Sequence, residues 1–179
     1  AVFITVIGLI ILRAYFIKRN SNTKLHKQNE LIAEQKQEIT DSIQYAQRIQ
    51  FAILPTKENI AKAFPQSFIL FKPKDIVSGD FYWFQEVNHK KYIAACDCTG
   101  HGVPGAMVSV VCSNALNRSL KEFGLIETGK ILDKTRELVI ETFKKNNADV
   151  KDGMDISLCL FDKNKMELKW AGAFNPLWI

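Results

Sequence analysis

The hydrophobic pattern divides the chain into three segments. Residues 1–12 are apolar apart from Thr5 and Gly8, and a basic stretch follows them. Residues 22–53 carry an apolar side chain at every seventh position, which indicates a long helix. After Pro55, short apolar runs broken by polar turns alternate with longer stretches at helical spacing, which indicates an α+β domain. The pattern therefore predicts segments at 1–17, 18–54 and 55–179.

The first segment is interpreted as the end of a transmembrane helix that begins before residue 1. The apolar run of residues 1–12 spans only about 18 Å as a helix, whereas the bilayer core is about 30 Å thick. A signal peptide fits less well because no basic stretch precedes the run, and a buried core helix would show a polar face. The basic residues after the run predict an inner (cytoplasmic) membrane protein with the remaining chain in the cytoplasm. They are Arg13, Lys18, Arg19, Lys24 and Lys27.

The second segment is predicted to be a helix from about Asn22 to Ile53 that ends before Pro55. One heptad row is apolar, but the complementary row is mostly polar, with Ile49 as the exception. This predicts a weak coiled coil and a homodimer formed through it, which suits a signalling helix because small inputs can switch two registers of similar energy. A solvated amphipathic linker is the alternative. The apolar row is Leu25, Ile32, Ile39, Ala46 and Ile53, and the polar row is Gln28, Gln35 and Ser42.

The third segment begins its strand pattern with a β-hairpin. Phe81–Val87 is aromatic and β-branched, and Tyr92–Cys96 is apolar, with a polar break between them. A tight turn centred on residues 89 and 90 would pair residues whose numbers sum to 179. In that register Asp80 and Asp97 project from one face as diagonal neighbours, with Cβ atoms about 7–8 Å apart.

The two carboxylates are interpreted as ligands of a hard divalent metal ion, because at that spacing they repel each other unless a cation lies between them. The alternative is two unrelated aspartates at a turn and a strand end, and a bulge would separate their faces. After Asp97, the glycine-rich stretch Thr99–Gly105 precedes a helix pattern. The N–H groups at that helix start would suit an anion such as a phosphate ester, although the glycines also serve a sharp turn.

The remaining pattern completes one layered α+β domain. The helix after the glycine-rich stretch is expected to begin near Pro104 and to end before Gly124. The other predicted elements are a helix from Thr128 to Lys145 and a second hairpin, with strands Ile156–Phe161 and Met166–Ala171 around a turn at 162–165.

The charge distribution supports a membrane-proximal position for the first two segments. The chain has 24 Lys and Arg against 19 Asp and Glu, a net charge of +5. Residues 1–62 hold nine of the basic and five of the acidic residues, so a surplus of four lies there and suits anionic lipid. The aromatic residues lie mainly in apolar strand patterns without interleaved basic residues, so no nucleic-acid partner is expected.

The cysteines allow one alternative metal site. Cys96, Cys98 and His101 form a C-x-C-x-x-H pattern, and Cys112 lies on the next predicted helix. The spacing differs from the usual C-x-x-C of zinc sites, and strand alternation places Cys96 and Cys98 on the face opposite Asp97. We therefore interpret the cysteines as small apolar side chains in a core kept reduced by the cytosol.

Several motifs occur in a fixed order along the second half of the chain. They are Ile43–Pro55, Phe71–Tyr82, Asp97–Ala106, Asp152–Ile156 and Ala171–Leu177. Together they resemble the PP2C-like bacterial serine phosphatases of the sporulation and stress-response (SpoIIE/RsbU) type. The resemblance covers roughly residues 43–179 and is more specific than any one short motif.

The resemblance implies an α+β fold of the α/β/β/α sandwich type, with two sheets packed face to face and helices outside. It also implies two Mn²⁺ or Mg²⁺ ions, held mainly by carboxylates and water, and direct attack of a metal-activated water on phosphoserine or phosphothreonine. Carried onto this sequence, it implies that Asp80, Asp97 and the backbone carbonyl of Cys98 are metal ligands. Further implied site residues are Lys72 and Lys74, which would steer the phosphate, and the loop residues Gly79, Gly100, His101 and Gly102.

The chain departs from the family's pattern at its end. The family's other metal-binding aspartates lie C-terminal to the Ala171–Leu177 motif, so further ligands are expected beyond residue 179, and the segment alone is expected to be inactive. Asp152–Asp155 is similar to their Asp-Gly-x-x-Asp pattern but is interpreted as a loop that enters the next strand. The resemblance implies a phosphatase acting on a phosphorylated anti-anti-sigma-like or response protein, and the apolar run of residues 1–12 predicts that it is tethered to the membrane. The alternative is a non-catalytic signalling relay that binds its partner without turnover.

Overall fold

The structure, a computed structural model, describes residues 2–144 and 152–178. Within them it contains four α-helices and a four-stranded antiparallel sheet with the strands in chain order. The elements are α1 (Val2–Ile53), α2 (Lys57–Ala63), β1 (Phe81–Val87), β2 (Lys90–Cys98), α3 (Gly102–Lys121), α4 (Thr128–Lys144), β3 (Met154–Asp162) and β4 (Glu167–Ala173).

The first two predicted segments form one uninterrupted helix, α1, so a separate helix start near Asn22 was wrong. No glycine or proline between the apolar run and Asn22 breaks the helix, and it ends at Ile53 as the following Pro55 predicted. The chain divides into two compact units, Ala1–Ser42 and Ile43–Ile179. Among residues 2–144 and 152–178, no helical stretch combines the length and the hydropathy that a bilayer crossing requires.

One face of the sheet forms the core of the second unit. Alternate residues of β1, β2 and β3 are buried there, and they pack with the apolar faces of α3 and α4. Leu116 of α3 and Ile131 of α4 are fully buried in this cluster, so both predicted outer helices are confirmed. The sheet residues of the core are Phe81, Trp83, Tyr92, Ala94, Cys96, Cys98, Ile156, Leu158 and Leu160.

The opposite face of the sheet lines an open groove of about 640 Å³. Tyr82, Ile93 and Cys159 lie on this face, and residues 68–72 form its other wall. The part of the chain that the structure describes forms only one sheet, so those residues do not make the second sheet expected from the resemblance. The α+β class is confirmed, with helices packed on one face of an antiparallel sheet.

The turn of the first hairpin lies one position earlier than predicted. Asn88 and His89 have φ angles of 51° and 63°, and Val87 pairs with Lys90 across them. Positive φ at both central residues is the requirement of a type I′ turn, and asparagine accepts it readily. Paired residue numbers therefore sum to 177 rather than 179. Because the shift is even, each side chain keeps its predicted face.

We expect His89→Gly to stabilise the protein by about 0.5–1 kcal/mol and to raise Tm by about 1–4 °C, because glycine adopts the left-handed conformation without a Cβ penalty. Thermal unfolding followed by circular dichroism measures the change. His89→Ala keeps the Cβ atom and serves as the matched control, for which no gain is expected. Equal Tm values for the two variants would contradict the type I′ assignment.

Candidate functional site

The hairpin register brings Asp80 and Asp97 to facing positions at one end of the sheet. The last ladder pair is Phe81 with Cys96, Asp80 directly precedes Phe81, and Asp97 directly follows Cys96. Both aspartates are exposed. The two residues therefore face each other directly, with Cβ atoms about 4.5–5.5 Å apart for such pairs, and the predicted diagonal relation was wrong. The shared face was predicted correctly.

The electrostatics of the aspartate pair disfavour two bare negative charges. Partial burial raises the pKa of Asp80, and its hydrogen bond with the Asp97 carboxyl and the repulsion from that group raise it further. A bound cation would remove this repulsion. The donors are carboxylate oxygens, which Mg²⁺ and Mn²⁺ prefer over softer ligands. The two residues therefore fit a hard divalent ion in both charge and donor type.

A third aspartate, Asp155, lies beside the pair and was missed from the sequence. Strand β3 begins at Met154, so Asp155 is a strand residue that pairs with Asp97, and its assignment to a loop was wrong. Its side chain is exposed on the same face as Asp97. The alternation of Met154, Ile156 and Leu158 was the available signal for the earlier strand start. Over residues 2–144 and 152–178, no three His, Cys, Asp or Glu side chains have the geometry of a metal site.

Three glycines allow backbone segments to cross directly behind the aspartates. A Cβ atom on Gly79 would lie 2.6 Å from the carbonyl oxygen of Gly100 and 3.1 Å from that of Cys98. A Cβ atom on Gly105 would lie 2.5 Å from the same Gly100 oxygen. No larger residue fits at Gly79 or Gly105 without a backbone shift. The crossing places the segment before Asp80, the end of β2 and the first turn of α3 in contact, and it puts the Cys98 carbonyl beside Gly79.

The glycine-rich loop joins β2 to the start of α3 in the predicted order. Gly100 and Gly102 have φ angles of 85° and 62°, in the left-handed region that favours glycine. His101 is the N-cap residue of α3 without a side-chain cap bond, and its Nδ1 instead lies 2.9 Å from Oδ2 of Asp75. The His101 ring therefore connects the loop to the segment that leads into β1. Free N–H groups at the α3 start lie in this loop region.

The two lysines suggested for phosphate steering have different positions. Lys72 lines the sheet groove together with Asp80 and Asp97. Lys74 is exposed and does not line that groove. Of the two, Lys72 is the one that the fold brings towards the carboxylates.

The three cysteines near the site are packed in the core behind it. Cys96, Cys98 and Cys112 are buried, on the side of β2 opposite Asp97, as predicted for apolar side chains. A hydrogen bond with Cys112 and burial raise the pKa of the Cys98 thiol, and burial raises the pKa of the Cys96 thiol. The burial of all three thiols agrees with their interpretation as small apolar side chains of the core.

The solved structures that match this chain include two from bacteria. The SiaA-PP2C domain of Pseudomonas aeruginosa matches with a TM-score of 0.66 and 34% sequence identity, over 77% of this chain and 55% of that one. The chain thus spans about half the length of that structure. The RsbU and RsbW domains of a Mycobacterium tuberculosis protein match at 19% identity and a TM-score of 0.42, over 56% of this chain and 26% of that one. No family model and no curated protein matched the sequence.

We expect Asp80→Asn to raise Tm of the metal-free protein by about 1–3 °C, because it removes a charge that faces Asp97. The wild-type protein should gain stability when Mn²⁺ is added, and the variant should lose that gain, because a ligand that binds only the folded state stabilises it. Thermal unfolding in EDTA and in Mn²⁺ measures both effects.

Asp133→Asn, at an exposed position of α4, is the matched control and should keep the full response to Mn²⁺. A lower Tm for Asp80→Asn in EDTA, with an unchanged response to Mn²⁺, would show instead that the carboxylate serves the turn before β1.

Proposed function

Because the chain belongs to the family of PP2C-like bacterial phosphatases, we propose that its α+β domain hydrolyses phosphoserine or phosphothreonine on a partner protein with the help of Mn²⁺ or Mg²⁺. The observation that carries the proposal is the facing pair of Asp80 and Asp97, at the hairpin end next to a glycine-rich loop. The 34% identity with a PP2C domain over 77% of the chain supports it.

In the proposed mechanism, Asp80 and Asp97 would hold the divalent ions through their carboxylates, and the backbone carbonyl of Cys98 would add a neutral oxygen donor. Two bound Mn²⁺ or Mg²⁺ ions would lower the pKa of water and offset the charge of the phosphoryl group. The facing position of the aspartates serves this role because both carboxylates attract the same cation. Their combined attraction offsets the cost of removing water from that cation. The proposal includes further ligands outside the described residues, since no three side chains of residues 2–144 and 152–178 have the geometry of a metal site.

The loop region supplies positive electrostatic potential for the phosphate. Residues 100–102 lead into α3, whose first N–H groups and helix dipole favour an anion. Lys72 adds a flexible ammonium group in the groove that also contains the aspartates. These groups bind and orient a phosphorylated side chain without forming a covalent bond to it.

The proposed setting of the enzyme is a membrane-linked signalling protein. Helix α1 exposes the predicted heptad residues Leu25, Ile32 and Ile39, which supports a homodimer formed through this helix. The apolar residues 6–12 are also exposed, as an anchor in the cytoplasmic membrane would require. The proposed substrate is a phosphorylated anti-anti-sigma-like or response protein in the cytoplasm, and α1 would regulate its turnover.

A second candidate function is a non-catalytic relay that binds its phosphorylated partner without turnover. It is favoured by one observation: although Asp155 lies beside the pair, no three His, Cys, Asp or Glu side chains of residues 2–144 and 152–178 have the geometry of a metal site. The relay and the phosphatase differ in one measurable property, which is the release of phosphate.

We expect the full-length protein to hydrolyse a phosphoserine peptide in Mn²⁺ and to lose about a hundredfold or more in kcat/KM as Asp97→Asn, because loss of a metal ligand removes several kcal/mol of charge stabilisation. Phosphate release with and without EDTA is the measurement. Asp133→Asn is the control for a neutralised aspartate outside the site and should keep wild-type activity.

Two results would contradict the proposal. One is activity of Asp97→Asn equal to that of Asp133→Asn. The other is a folded, Mn²⁺-loaded protein that binds the phosphopeptide but releases no phosphate, which would establish the relay instead.

A further inference from the structure

The side chain of Gln50 is buried where the last turns of α1 pack within the second unit. It is only 5% exposed, and its amide makes three hydrogen bonds. Its Oε1 accepts from the Ser78 N–H at 3.0 Å. Its Nε2 donates to the Ser78 carbonyl at 2.5 Å and to Oγ of Ser109 at 2.9 Å. One side chain thus satisfies both backbone groups of Ser78 and connects them to α3.

The segment that Gln50 holds has no sheet partner in the described structure. Residues 72–80 lie outside the strands, so no ladder of backbone hydrogen bonds fixes their path. Gln47, one helical turn before Gln50, donates to the carbonyl of Ile76 at 2.6 Å. The two glutamine amides therefore take the place of a neighbouring strand for the residues that lead into β1.

The path from Ser78 to Asp80 is fixed on both sides. Gln50 binds Ser78 from the helix side, and Gly79 is packed against the carbonyl oxygens of Gly100 and Cys98 on the other side. Asp80 is the next residue, at the position that faces Asp97. Repulsion between the two carboxylates acts to separate them, and the contacts at Ser78 and Gly79 resist that displacement.

We infer that Gln50 is a positioning residue for the Asp80 carboxylate, acting through the backbone of Ser78. The inference rests on the proposed function, because it makes the metal affinity of the aspartate pair depend on a side chain of α1. A purely structural role for Gln50 would lower the stability of the fold without a separate effect on the metal. Loss of a residue that orients a metal ligand without binding the metal itself usually lowers metal affinity by about 10- to 100-fold.

Three variants of the full-length protein separate the two roles. Gln50→Met keeps the side-chain length and removes all three hydrogen bonds. Ser109→Ala removes the bond from Gln50 and the hydroxyl's own bond to the Ala106 carbonyl, and it leaves the two bonds between Gln50 and Ser78 in place. Gln44→Met makes the same chemical change at an exposed position of α1. Mn²⁺ affinity is measured from the electron paramagnetic resonance of free Mn²⁺, and Tm is measured in EDTA.

The expected result is a Mn²⁺ Kd raised about 10- to 100-fold in Gln50→Met, and within about twofold of wild type in the other two variants. Ser109→Ala should lower Tm without weakening Mn²⁺ binding. In the wild-type protein, Mn²⁺ should also slow amide hydrogen exchange at Ser78, because coupling between the metal site and the Gln50–Ser78 contact acts in both directions. Gln50→Met should abolish that effect.

An unchanged Mn²⁺ Kd in a folded Gln50→Met protein would overturn the inference and leave the phosphatase proposal intact. An Mn²⁺ Kd raised equally in Gln50→Met and Ser109→Ala would also overturn the inference. The loss of Mn²⁺ affinity would then follow from a weaker hydrogen-bond network around Gln50 and not from its bonds to Ser78. Selective loss of Mn²⁺ affinity in a protein that releases no phosphate would uphold the inference and refute the phosphatase. A wild-type protein that binds no Mn²⁺ would overturn both.

Discussion

The two-residue turn between β1 and β2 is the constraint on which the site depends. Because Asn88 and His89 both take left-handed conformations, the strands meet in the register that ends with Phe81 opposite Cys96. The next residue on each strand is an aspartate. An even shift of this register would keep Asp80 and Asp97 on one face but move them apart, and an odd shift would place them on opposite faces. Two facing like charges repel each other in the folded protein. The register holds the two carboxylates in that position, and a bound cation can remove the repulsion.

The second requirement is close approach of backbone segments behind the aspartates. Gly79 and Gly105 both pack against the carbonyl of Gly100, which brings the entry to β1, the end of β2 and the start of α3 within backbone contact. These contacts explain why the glycine-rich loop follows the second aspartate directly. The same crossing places the Cys98 carbonyl oxygen beside Gly79, the residue before Asp80. Gln50 adds the hydrogen bonds that the irregular segment before β1 would otherwise lack.

Much of the domain could be predicted from local sequence patterns. The strands, the two core helices and the shared face of Asp80 and Asp97 follow from hydrophobic periodicity, which depends only on residues close in sequence. The hydrophobic pattern did not predict the exact position of the turn. Asn88 and Lys91 can both stand at the edge of a polar turn, so the turn could be centred at more than one position between them. Only the left-handed pair at positions 88 and 89 decides the register.

Long-range contacts account for the features that the sequence did not reveal. Asp155 lies opposite Asp97 only because β3 pairs with β2. The alternation of apolar and polar residues within one strand does not predict which strands are neighbours. Gln50 bonds to residues 28 and 59 positions away, and in the sequence it is one more polar residue of a polar helix. The second sheet was inferred from family resemblance rather than from strands in the chain, and the described residues do not form it.

The most direct test of the account is the location of Mn²⁺ in crystals of the full-length protein, measured by anomalous scattering at the manganese edge. The account predicts an anomalous peak within about 2–2.5 Å of carboxylate oxygens from both Asp80 and Asp97. No peak between these two residues, at a Mn²⁺ concentration that saturates binding in solution, would contradict it.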